Sequence, residues 1–267
     1  MSPGGRAILL AAGPESADGR CLPPPPGRDG PEVRVAGRDL AAGVRGHSRT
    51  VVVPMTLGRD PDLPVAAAQT LRWAARDRAP GDLLLAPPLG TTGHLVGWLR
   101  SAVVRALRGA PPRRAVLLVA PAGGPEQDAE LFRVARLVRQ YTSAPWVEVA
   151  LTGGDPDVSE AIDRCTRLGA ADVVLVPASF VPAPVRPDAL TADPLLGAAA
   201  LAALVRARAA EAEHRWTRHG DDGLAAAARH SHTHDHDHDH DHHHDDRRRD
   251  LTVPAAACPK EAQAHVG

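Results

Sequence analysis

Six short runs dominated by Val and Leu recur along the chain, each bounded by Gly, Pro or charged residues: AILLAA (7–12), TVVVPM (50–55), DLLLAP (82–87), AVLLVA (115–120), WVEVAL (146–151) and DVVLVP (172–177). Most are apolar on consecutive positions rather than on alternate ones. A strand with one face in water cannot tolerate that pattern, so these runs predict strands covered on both faces, as in a parallel sheet. Parallel neighbours need crossover connections, and helical patterns lie between the runs at 63–78, 93–109, 128–141, 155–170 and 193–216. In the third of these, Leu131, Val134, Leu137 and Val138 fall on one helical face with Arg opposite. The fourth opens on an acidic turn and closes at Gly169. The alternation predicts an α/β layered fold with mostly parallel sheets. Glu148 inside WVEVAL places that strand nearer an edge or the mouth of a site.

The two halves of this pattern resemble each other. AILLAAGP (7–14) matches AVLLVAPA (115–122), TVVVPMTL (50–57) matches DVVLVPASF (172–180), and PPLGTTGHLVGWLR (87–100) matches DPLLGAAALAALVR (193–206). Three matches in the same order predict a tandem duplication, with a first repeat at 1–110 and a second at 111–216. The first repeat reads as eroded: CLPPPPGRDG (21–30) cannot be helical and stands where the second repeat has its first helix. From 217 the character changes. ARHSHTHDHDHDHDHHHDDRRRD (228–250) has no periodic apolar face, which predicts a disordered C-terminal tail over 217–267.

Composition excludes several classes of function. Aromatic residues make up 3% of the chain, too few for a nucleic-acid reader built on stacked rings, and the formal net charge of −1 offers no polyanion-binding surface. Thirty of the 31 basic residues are Arg, with Lys260 the exception, a bias that reflects a GC-rich genome rather than a site. Cys21, Cys165 and Cys258 are widely spaced and odd in number, so neither a disulfide framework nor an Fe–S cluster is indicated, and a reducing, cytoplasmic setting fits. The early run AILLAAG (7–13) is too short for a membrane span. No Gly-x-Gly-x-x-Gly or GxxxxGK[ST] loop indicates a nucleotide, and no Gly-x-Ser-x-Gly indicates a hydrolase elbow. Gly123-Gly124 and Gly153-Gly154 each follow a strand, as turns or as a close approach to a ligand.

The histidine tract carries the clearest chemistry. Nine of the 14 histidines are His230, His232, His234, His236, His238, His240, His242, His243 and His244, with Asp235, Asp237, Asp239 and Asp241 interleaved. Imidazole is the commonest ligand of late first-row divalent ions, and ligands at i, i+2 and i+4 of an extended chain can wrap one ion. The pattern predicts metal capture without preorganised geometry, with Co, Ni, Cu and Zn all suited. Binding should fail below about pH 6, where imidazole protonates. Outside the tract, His94 starts a helix at the end of a strand, the edge at which open α/β sheets bind ligands. His47, His214 and His219 read as surface residues.

The element order, the duplication and the tail together resemble the sirohydrochlorin chelatase family of cobalamin and sirohaem biosynthesis, in its two-repeat, cobalt-inserting form with a histidine-rich segment. The residues that carry the resemblance are TVVVPMTLGRDPDL (50–63), LLLAPPLGTTGHLVGWLR (83–100) and VEVALTGGDPDVSEAIDRCTRLGAADVVLVPASFVP (147–182), followed by TADPLLG (191–197). The resemblance implies a chelatase-like α/β fold, a tetrapyrrole substrate and a divalent metal, Co2+ or Ni2+, as substrate or stored ion, with no nucleic-acid or membrane partner. The family's first strand ends in His-Gly-Ser-Arg; this chain reads Ala12-Gly13-Pro14-Glu15, and Ala120-Pro121-Ala122-Gly123 in the second repeat. A second family His follows the third strand, where this chain has Asp60 and Asp62, with Asp188 in the later repeat. Metal insertion removes two pyrrole N–H protons, so a base near the ring is required. Asp60, Asp188 and His94 are the candidate catalytic residues. Two functions stay open: a chelatase, or a non-catalytic metal store or delivery protein on a degenerate chelatase fold. A generic α/β binding module with an incidental tail is the third.

Overall fold

The computed structural model describes residues 5–23, 30–142, 144 and 146–225. The chain runs β1 (Ala7–Ala12), β2 (Glu32–Val35), α1 (Arg38–Arg45), β3 (Thr50–Pro54), α2 (Asp62–Ala74), β4 (Leu83–Leu85), α3 (Thr92–Leu107), β5 (Arg114–Pro121), α4 (Pro125–Thr142), β6 (Val147–Thr152), α5 (Val158–Arg167), β7 (Asp172–Pro177), β8 (Leu190–Thr191) and α6 (Ala198–His219). All six expected strands form. With β2 and β8 they build two four-stranded parallel sheets, ordered β2-β1-β3-β4 and β6-β5-β7-β8. The two orders are the same when β5 is laid on β1. Ala11 pairs with Pro54 and Val119 with Pro177, so the matched Val-Pro ends occupy the same place in each sheet.

Helix ends follow local chemistry. Asp157 caps α5 by accepting the Glu160 N–H at 2.8 Å, which moves the start of this helix past 155. Gly197 precedes α6 and Gly220, with φ of 64°, closes it. β2, α1 and β8 appear where patterning gave no element. β2 is a half-exposed edge strand, β8 has two residues, and α1 follows Gly37, whose φ of 99° turns the chain out of β2. Among the described residues between β1 and β2, where the second repeat has α4, there is a 3-10 turn at Pro14–Ser16.

Each sheet has two covered faces. In the first, Leu9, Ala11, Val52, Leu83 and Leu85 pack on Leu40 and Val44 of α1 and Ala67 and Leu71 of α2. The opposite face, with Val51, Val53 and Leu84, meets Leu201, Val205 and Ala209 of α6. In the second sheet, Ala115, Leu117, Val173 and Leu175 pack on Ala161, Ile162 and Cys165 of α5. Its other face, with Val116, Leu118, Val174 and Val176, meets α3 and α4 through Leu95, Leu99, Leu131 and Val134. The last helix of each repeat therefore lies on the other repeat's sheet. A fully buried Val or Leu contributes roughly 1.5–3 kcal/mol. Baring either inner face would thus exceed a typical net stability of about 5–15 kcal/mol.

Beyond α6 the chain turns round the edge of β4. The Leu85 N–H donates to the Asp222 carbonyl at 2.9 Å, the Arg215 guanidinium donates to the Leu85 carbonyl, and Leu224 is buried among Leu9, Leu83 and Leu85. Gly81, with φ of 83°, makes room for the Trp216 indole: a Cβ there would sit 2.2 Å from the ring. Gly81→Ala is expected to destabilise by about 2–4 kcal/mol, through a left-handed backbone and overpacking together. Gly97 of α3 has open space around its Cβ position, and Gly97→Ala should stabilise by about 0.5–1 kcal/mol. Urea midpoints of the two variants check both signs.

Candidate functional site

The C-terminal ends of β1, β3, β5 and β7 meet at one place, the edge at which ligands bind in open α/β sheets. After β1 the chain makes a tight turn: the Gly13 carbonyl accepts the Ser16 and Asp18 N–H groups, and Ala17, Asp18 and Gly19 all have positive φ. The turn folds Glu15 inward, to 5% exposure. After β3, the Thr56 hydroxyl accepts the N–H of Gly58 at 3.0 Å and of Asp60 at 3.3 Å. Gly58, with φ of 117°, lies against the Thr91–Thr92 backbone, and Thr92 donates to its carbonyl. These two loops are tied by the Glu15 carboxylate, which accepts the N–H of Leu57 at 2.5 Å and of Arg59 at 2.8 Å.

The same loop recurs in the second repeat. Ser179 accepts the Val181 N–H as Thr56 accepts that of Gly58, at positions 123 residues on. At that spacing Phe180 corresponds to Leu57, and the Phe180 N–H donates to the Glu15 carbonyl at 3.1 Å. Two equivalent amides of the two repeats thus converge on one residue, which places Glu15 at the axis relating them.

Arg59 crosses between the repeats and is 3% exposed. Its guanidinium donates to the Pro121 carbonyl at 3.3 Å, to the Gln127 carbonyl at 3.3 Å and to Asp128 at 3.1 Å. Asp128 also accepts the Gly123 N–H at 2.9 Å. Asp60, 4% exposed, turns one oxygen to the start of α2, where it accepts the N–H of Asp62 at 3.2 Å and of Leu63 at 3.1 Å. Its other oxygen faces Gly13, where a Cβ would lie 3.3 Å away. Burial pushes the Glu15 and Asp60 carboxyls above the ordinary carboxylate range, against the pull of their donors, and lowers the Arg59 guanidinium.

Of the residues singled out in the sequence, Asp60 lies in this cluster and Asp62 in the first turn of α2. His94 is exposed at the start of α3, where it forms a capping box: its Nδ1 accepts the Thr91 N–H at 3.2 Å and the Thr91 hydroxyl accepts the His94 N–H. The imidazole stacks on Trp98 at 5.7 Å. Asp188 lies between β7 and β8, exposed, and its hydrogen bonds from Arg186 at 3.2 and 3.3 Å hold its carboxyl low. Among the described residues no hydrogen bond or ion pair joins Asp60, His94 and Asp188 to one another. His47 contacts Glu32 at 3.1 Å, and His214 and His219 are exposed on α6. The nine tract histidines lie outside the described residues. Among the described residues no three His, Cys, Asp or Glu side chains come together to hold a metal. No helix among them is long and apolar enough to cross a membrane. Sequence reasoning missed Glu15, Arg59 and Asp128 as site residues; the one local signal was a charged residue in a Gly-Pro turn directly after a buried strand.

No protein-family model matches this chain, and no curated protein matches it. Solved structures are similar to it. The sirohydrochlorin chelatase SirB from Bacillus subtilis subspecies spizizenii, in complex with cobalt, is 14% identical with a TM-score of 0.45, over 80% of this chain and 97% of that one. SirB from Bacillus subtilis with Fe3+ is 16% identical with a TM-score of 0.49, over 81% and 99%. At this level of likeness the α/β fold class rests on the two parallel sheets themselves.

In Glu15→Gln the amide NH2 meets a backbone N–H, so one buried donor loses its acceptor, at a cost of about 1–3 kcal/mol. The raised carboxyl also sets a pH dependence. A folded-state pKa above the unfolded one stabilises fully below the ordinary carboxylate range, and that contribution is lost as pH rises through the folded value. Stability should therefore fall along this term as pH rises from the ordinary carboxylate range towards the raised folded value, and Glu15→Gln should flatten the slope. Urea titrations of both proteins across that range measure it.

Proposed function

We propose that this chain is a chelatase-like protein of tetrapyrrole metallation, cytoplasmic, built from two diverged repeats at 1–110 and 111–216. In this reading the ends of the strands meet a planar tetrapyrrole of the sirohydrochlorin type. The histidine tract at 230–244 gathers the divalent metal that is inserted, Co2+ before Ni2+. The observation that carries the reading is the Asp60 carboxylate: it is buried at the meeting point of the two sheets, and burial raises its affinity for a proton. Removing a pyrrole proton needs an acceptor whose pKa lies closer to neutrality than a free aspartate's. Asp60 is that acceptor in this proposal, with Asp188 and His94 as outlying positions of smaller effect. The resemblance of the sequence in 50–63, 83–100 and 147–197 supports the same substrate class.

A second reading is favoured by the way the junction is filled. Glu15, Arg59 and Asp128 are satisfied by one another and by backbone, and Asp60 caps α2. A scaffold closed in this way suits a protein that stores or delivers metal through its tract without turning over a tetrapyrrole.

Spectral titration of the full chain with sirohydrochlorin, with and without Co2+, separates the two. The chelatase reading expects metal-dependent conversion, lowered about 100-fold or more in Asp60→Asn, the usual size of a lost general base. Asparagine keeps the oxygen that caps α2, so the variant tests the proton step rather than the fold. A spectral shift without conversion would indicate a pseudo-enzyme, and no shift while several ions bind and are lost on deleting 230–244 would favour the store.

A further inference from the structure

The two repeats do not contribute equally to the junction. At the spacing that lays Thr56 on Ser179, Arg59 and Asp60 correspond to Pro182 and Ala183. The second repeat therefore has neither the carboxylate nor the cation. What it has instead is the seat of Arg59: the Pro121 carbonyl at the end of β5, and the Gln127 carbonyl and Asp128 carboxylate in the first turn of α4.

The Arg59–Asp60 pair is held from several directions. The Arg59 N–H is fixed on the Glu15 carboxylate, the Asp60 N–H on the Thr56 hydroxyl, and the guanidinium on the second repeat. At 3% exposure Arg59 is all but removed from water. Charge-assisted bonds from a buried Arg are strong and directional. Losing one partner leaves the other buried and uncompensated. Asp60 follows directly in the chain, and its own oxygen is committed to the Asp62 and Leu63 amides, so movement of the loop at Arg59 reaches those amides through one carboxylate.

We infer that Arg59 is a positioning residue through which the second repeat holds the Asp60 carboxylate in place. Its functional meaning rests on the reading of Asp60 as proton acceptor; its structural content does not. One repeat supplies the acid–base group and the other braces it. The charged groups acting on Asp60 are Arg59, which lowers its carboxyl, and Asp62, which raises it; Glu15 and Asp128 act on it through Arg59.

The test uses the full chain with Asp128→Asn and Arg59→Lys. Asp128→Asn removes one charge and keeps the carbonyl bonds of Arg59, so it reports even where the Arg59 variant does not fold. Amide hydrogen exchange at Asp62 and Leu63 should rise about tenfold in Asp128→Asn, while Ile162 and Cys165 of α5, on the far face of the second sheet, stay unchanged. With sirohydrochlorin and Co2+, the acid limb of the pH–rate profile should move to lower pH in Asp128→Asn, because the Arg59 cation beside Asp60 is no longer offset by the Asp128 charge, with KM unchanged. Exchange that is unaltered at Asp62 and Leu63, or that rises equally in α5, overturns the inference. The exchange measurement needs no substrate, so the outcomes separate. Local exchange without insertion by the unaltered chain removes the chelatase reading and leaves the brace. Insertion without local exchange does the reverse.

Discussion

The inner face of each sheet is covered by a helix from the other repeat, and the positions of the remaining elements follow from that exchange. α6 lies on β3 and β4, and α3 lies on β5 and β7. A parallel sheet must be buried on both sides, and α1 and α2, or α5, supply only one side each. The first repeat therefore depends on α6 for its inner face, while in the second α4 covers the β6 side and α3 of the first repeat completes the rest. The exchange brings the strand ends of both halves to a common edge, where Glu15 and Arg59 can reach across. It also fuses the inner layer into one continuous apolar cluster running from Leu10 to Ala212.

How much of this was legible in the sequence depended on how local each cause was. Val51–Val53 and Val173–Val176 are buried on both faces and announce themselves as consecutive apolar positions. β2 does not: its EVRV sequence pairs only with β1 at the margin of the sheet, and its charged residues look to solvent, to Asp39 and to His47. β8 is too short to carry a pattern, and α1 buries only one narrow face. At the junction, Asp60 was visible because it stands in a stretch that resembles a known family. Glu15, Arg59 and Asp128 were not, because nothing near any of them in sequence requires the others. Glu15 and Arg59 are 44 residues apart, Arg59 and Asp128 are 69 apart, and only the crossing of the repeats makes them neighbours. The histidine tract was the reverse case, plain in composition and outside the described residues.

The two matching loops accommodate one asymmetric group between them. Thr56 and Ser179 keep the same turn, and Leu57 and Phe180 keep the same outward amide. A single residue on the axis cannot serve both amides in the same way. Glu15 gives its carboxylate to one and its carbonyl to the other. Once that choice is made, the loop next to the carboxylate gains a reason to carry a cation, and its twin does not. Arg59 stands on one side and Pro182 at the corresponding position on the other.

The bond from Leu85 to Asp222 and the seat of Trp216 on Gly81 also bear on the order of events when the chain is made. Synthesis proceeds from the N-terminus, so β1 to β4 emerge first. Their inner face stays bare until α6 follows, more than a hundred residues later. The sheet that is made first is thus the last to be finished. Through that interval its Val and Leu strands depend on whatever else can shield them; the docking of α6 ends that exposure, and the turn of chain round β4 then fastens it.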